Sequence, residues 1–112
     1  MELDKEQKKM ALIKETVEDK IEIVGDYKAI QVRTATVIKE DGTEINRTFH
    51  RHLLECCIRN DATGVWSDTD VSGESTEVQG IASIVWTDAI KTAYKAHIDA
   101  IYPHINPESE SE

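Results

Sequence analysis

The dipeptide Asp41-Gly42 sits between two runs, "AIQVRTATVIKE" and "TEINRTFHRHLL", that are rich in Val, Ile and Thr. Asp-Gly tolerates positive φ at both central positions and suits a two-residue type I′ turn. A tight hairpin is therefore expected, with partners found by counting outward, so that paired residue numbers sum to 83. One face then carries Ile30, Val32, Ile38, Ile45, Phe49 and Leu53, and the other carries Arg33, His50 and His52. A slip of one residue would turn every side chain to the opposite face, so this segregation supports the register independently of the turn. The apolar face is expected to lie under a C-terminal helix.

Elements on either side complete the expected fold. "KIEIV" alternates with period two and is closed by "GDYK", which reads as a short strand and a turn. Residues 59 to 75 read as a loop of Asp, Ser, Thr and Gly around Trp66. In "STEVQGIASIVWTDAIKTAYKAHIDAIYP", Val78, Ala82, Val85, Ala89, Ala93, Ala96 and Ala100 form one helical stripe, flanked by Ile81 and Trp86. Ser72 is the expected N-cap, Glu74 and Glu77 suit the positive end of the helix dipole, and Pro103 stops the helix. Thr87-Asp88 could cap a second helix and break the first. The expectation is an α+β fold: a small antiparallel sheet of about three strands packed against a long C-terminal helix. A single domain over 11–103 follows, between an N-terminal arm over 1–10, frayed or disordered, and an acidic tail over 104–112 that is too polar to fold. Met10 offers an alternative start.

A chain of 112 residues buries only about two thirds of its unfolded surface. Aromatic residues are few and nearly a third of the residues are charged, so the core is modest and burial in an oligomer is favoured. The net charge of −9 argues against binding nucleic-acid phosphates, which requires clustered Lys and Arg. No apolar run approaches the roughly 20 residues of a bilayer-crossing helix, and the N-terminus lacks a signal-peptide core, so a soluble protein with no membrane partner is expected. Cys56 and Cys57 are adjacent, and adjacent cysteines bond to each other only with strain, so two free thiols are expected. The sequon at Asn46 is not expected to be used without secretion.

Residue chemistry then narrows the activity. His50 and His52 share a strand face as two zinc ligands would, but nothing in the sequence supplies a third and fourth ligand converging on them. Asp68, Asp70, Ser72 and Gly73 fall at positions 1, 3, 5 and 6 of a calcium loop, yet position 12 is Gln79 where calcium takes a bidentate Glu. No phosphate loop, nucleophile elbow, HExxH helix or acid-base pair is present. The chain is expected to be no enzyme, with no catalytic, cofactor or metal residues. Arg47 and Arg51, the odd members of the apolar face, are candidates for snorkelling at an edge, for pairing with helix acids such as Glu77 or Asp88, or for reaching a neighbouring subunit. Trp66 in the loop is either folded over the small core or exposed as an interaction anchor, and Trp86 is a further candidate for interaction.

"DKIEIVGDYKAIQVRTATVIKEDGTEINRTFHRHLL" and "VSGESTEVQGIASIVWTDAIKTAY" together resemble small uncharacterised proteins of tailed bacteriophages of aquatic bacteria. Most of the resemblance rests on "IQVRTATVI", "EDG" and "FHRH", while "ECC" and "IRNDATGVW" depart from it. It implies a phage origin and a place among virion or virion-associated proteins. The expected function is then a non-enzymatic structural or adaptor protein of the particle, joined to copies of itself or to other virion proteins through a strand edge and an Ala-rich helix. The alternative is a small acidic protein of the host cytoplasm that binds and modulates a host protein during infection.

Overall fold

A computed structural model describes residues 11–103; the expected arm over 1–10 and tail over 104–112 lie outside the described residues. The elements run β1 (Leu12–Val24), β2 (Ala29–Glu40), β3 (Thr43–Leu54), β4 (Cys57–Arg59), β5 (Trp66–Asp68), α1 (Thr76–Val85) and α2 (Asp88–Ile101). The fold is α+β, with a three-stranded antiparallel sheet in the order β1-β2-β3, a second sheet of β4 and β5, and two helices. Among the described residues the chain gathers into two units, one of residues 11–22 and 31–52, the other of 23–30 and 53–103.

In the first unit, Asp41 and Gly42 have φ of 51° and 84°, the signs that a type I′ turn demands. The expected turn is present, but its simple register does not persist. Arg33 stacks over the ring of Phe49, 4.4 Å from its centroid, so the two residues share a sheet face. Pairing that sums to 83 would set them on opposite faces. Glu44 and Arg47, three apart in one strand, are likewise joined by hydrogen bonds of 2.9 and 2.8 Å. Both contacts depart from an unbroken two-residue alternation counted outward from the turn. The central strand also changes parity, burying Ile30 and Val32 near its start but Ala35 and Val37 further on. The expected apolar face is thus corrected: Ile45, Phe49 and Leu53 are exposed, Phe49 to 46 %.

β1 is far longer than "KIEIV". Its first half lacks a clean alternation and so carries no local strand signal. Cross-strand charge supplies what periodicity does not: Asp19 receives two hydrogen bonds from Arg33 at 3.0 and 2.9 Å, and Glu15 pairs with Lys39 at 3.1 Å.

In the second unit, the expected loop over 59–75 instead contains a hairpin. β4 pairs with β5 through Cys57↔Asp68, Ile58↔Ser67 and Arg59↔Trp66. Asn60 organises the turn, its side-chain oxygen accepting from the backbone of Ala62 and Thr63. The helix breaks at Thr87-Asp88, where the Thr87 hydroxyl accepts from the Ile90 N–H at 3.2 Å. Ser75 caps α1 by accepting from the Val78 N–H, in place of Ser72. Val78, Ala82 and Trp86 are buried as the stripe requires. The break resets the helical phase, so α2 turns Ile90, Tyr94 and Ile98 inward while Ala89, Ala93, Ala96 and Ala100 are exposed.

Candidate functional site

The first unit presents its charges in rows across one sheet face. Asp19 on β1, Arg33 on β2 and Phe49 on β3 form one row through the bidentate pair and the stack. Arg47 and Arg51 flank Phe49 at strand spacing, and the Arg47 charge reaches Asp19. Hydrogen bonding from Arg33 holds the Asp19 carboxyl below the usual range, with the Arg33 and Arg47 charges adding to it. Hydrogen bonding from Arg47 likewise lowers the Glu44 carboxyl. Arg47 therefore pairs within its own strand, with Glu44; Arg51 is exposed.

β3 is an outer strand of its sheet, and residues 43–51 are exposed without interruption. Among the described residues nothing pairs with its outer edge, nor with that of β1. Edge strands carry a row of backbone donors and acceptors that template another strand.

The second unit holds a cleft of about 500 Å³ whose walls include Leu53, Cys57, Arg59, Trp66, Tyr94 and Ile98. Trp66, one of the candidate anchors, is half-buried there, edge-on to Tyr94 at 5.7 Å between centroids, with its indole N–H donating to Asp99 at 3.2 Å. The Arg59 side chain is nearly buried and donates to Asp61 and Asp99 at 2.9 and 3.0 Å. Tyr27 joins the same aromatic cluster, 5.8 Å from Tyr94 and 5.0 Å from His97. This clustering of aromatics from three distant segments has no signal in the sequence. Trp86, in contrast, is buried and donates its indole N–H to the Lys28 carbonyl at 2.7 Å, so it belongs to the core and not to an exposed contact surface.

Both cysteines are free and buried. Burial pushes the Cys56 thiol up to about 12, with the Cys57 thiol beside it adding to the shift. A thiol so disposed is a poor nucleophile at neutral pH. His50 is exposed and His52 partly so, and among the described residues no three His, Cys, Asp or Glu side chains converge as a metal site would require. The calcium-like loop is occupied by local structure: Asp68 pairs with Lys91 at 3.3 Å and Asp70 accepts from the Ser72 N–H. No helix among the described residues is long and apolar enough to cross a membrane.

Comparison with protein families, with curated proteins and with solved structures finds no match to this chain.

Proposed function

We propose that the chain is a non-enzymatic structural or adaptor protein of a phage particle, assembling with copies of itself or with a neighbouring virion protein. The observation that carries this reading is the outer edge of β3, exposed over 43–51 and studded with Ile45 and Phe49. Natural sheets shield such edges or use them. The alanines exposed on α2 offer a second smooth surface for close approach, as an Ala-rich contact helix requires. Mass spectrometry of purified particles tests the reading: the protein should be present at a fixed copy number. Its presence in infected-cell extract alone, and never in particles, would sink it.

A further inference from the structure

The two outer strands of the three-stranded sheet carry opposite charge. β1 holds Glu15, Glu18, Asp19 and Glu22 against Lys14 and Lys20; β3 holds Arg47 and Arg51 against Glu44. β1 and β3 run in the same direction, since both are antiparallel to β2. We propose that copies of this chain join head to tail, the outer edge of β3 in one copy pairing in parallel with the outer edge of β1 in the next. This deepens the assembly reading above and rests on it.

Charge decides among the ways two copies could use these edges. A two-fold β3 to β3 seam would gather both copies' Arg47 and Arg51 on one face, and like charges directly opposed destabilise a strand pair. A β1 to β1 seam would gather eight acidic side chains against four lysines. Head-to-tail pairing sets the basic edge against the acidic one. The spacings agree as well. Asp19, Arg33 and Phe49 form a single row, with Arg51 two residues beyond Phe49 on the same face. Glu15 and Arg47 each lie four residues along from Asp19 and Arg51, towards the Asp41-Gly42 end of the sheet. With a shift of two residues along the strands, Arg51 of one copy meets Asp19 of the next, and Arg47 meets Glu15. The Asp19 carboxylate, already accepting from Arg33, has lone pairs left for a second guanidinium.

A parallel contact of this kind is heterologous, so it uses each edge once and leaves every bound copy with its other edge open. It gives a ring where the rotation closes and a filament where it does not, never a closed two-fold dimer. The exposed Val17 and Phe49 would meet across the same seam and supply apolar contact between the ion pairs.

Light scattering on a size-exclusion column, with the full chain at tens of micromolar, tests this. The wild type should exceed dimer mass and should dissociate between about 0.05 and 0.5 M NaCl as screening shortens the reach of the ion pairs. Arg47→Glu with Arg51→Glu blocks the β3 edge; Glu15→Lys with Val17→Lys blocks the β1 edge. Each blocked chain alone should associate at least about tenfold more weakly than wild type, while a mixture of the two should recover assembly beyond dimer mass, because the two reversed edges complement each other as the two native edges do. Self-association of the β1-blocked chain into dimers would show a β3 to β3 seam and overturn the proposal. Where a double variant loses its circular dichroism, the salt titration decides, and assembly indifferent to salt overturns the proposal. A wild type that stays monomeric also overturns it, yet leaves the adaptor reading to stand or fall on the composition of purified particles.

Discussion

Trp86→Phe should be among the most damaging conservative substitutions in this chain. The indole is 8 % exposed and its N–H donates to the Lys28 carbonyl at 2.7 Å across 58 residues of sequence. Phenylalanine keeps most of the apolar volume but has no donor. A buried carbonyl stripped of its partner costs about 1–3 kcal/mol, and the smaller ring forfeits roughly 1 kcal/mol of burial and packing. The total is about 2–4 kcal/mol, a large share of the roughly 5–15 kcal/mol that holds a domain together. Urea unfolding followed by far-ultraviolet circular dichroism gives the measurement, because it does not depend on the lost fluorophore. The midpoint should fall with the slope unchanged. Trp66→Phe is the internal control: it loses only bonds to the exposed Asp99 carboxylate and should cost about 1 kcal/mol or less. If the two substitutions cost the same, the division between a core tryptophan and a cleft tryptophan is wrong.

Phe49→Ala should cost about 1–2 kcal/mol, well short of a full core truncation, since the half-exposed ring loses partial burial and the Arg33 stack; a loss above about 3 kcal/mol in the same unfolding assay would place the ring in a core. Stability should fall on the alkaline side. The Cys56 thiol has a folded value near 12, above its unfolded one, so its contribution is whole below about pH 8.5 and is lost as pH rises from there through 12; Cys56→Ala should flatten that limb of a pH series of thermal melts. On the acid side, the Asp19 carboxyl lies below its ordinary value, so its contribution is present above about pH 4 and is lost as pH falls further. Asp19→Asn should remove that acid dependence, and an unchanged acid limb would refute the Arg33 pairing as its source. Elemental analysis after dialysis should find less than about one equivalent of zinc or calcium, and a stoichiometric ion lost in His52→Ala would refute this.

What the sequence reveals and conceals here depends on the range of the forces involved. The Asp41-Gly42 turn, the strands beside it and the helical segment are local signals, and all are present. The register is not local. The departure from the simple count shows in Glu44 pairing with Arg47 and in Arg33 reaching Phe49, contacts that a count outward from the turn assumes away. β1 is longer than its alternating stretch for the same reason, because Glu15 and Asp19 gain cation partners only once β2 lies beside them. In the helical segment, one stripe drawn through Thr87 carries the alanines inward; a cap that starts a new helix resets the phase, and Ile90, Tyr94 and Ile98 take the inner face. Of the residues singled out for interaction, Trp66 lines a cleft, Arg47 and Arg51 lie on the exposed strand, and Trp86 is spent on the core. The cleft itself assembles from β4, β5 and α2, and no short window of sequence contains it.

The Trp86 to Lys28 hydrogen bond also sets a schedule for synthesis. Lys28 leaves the ribosome 58 residues ahead of its partner, a lead of about 3–12 s at typical elongation rates. Hairpins close in microseconds, so β1, β2 and β3 can pair long before Trp86 exists. For those seconds the Lys28 carbonyl must be satisfied by water, and the sheet waits with both outer strands bare. Like charges along each of those strands then discourage β1 to β1 and β3 to β3 pairing between nascent chains on neighbouring ribosomes.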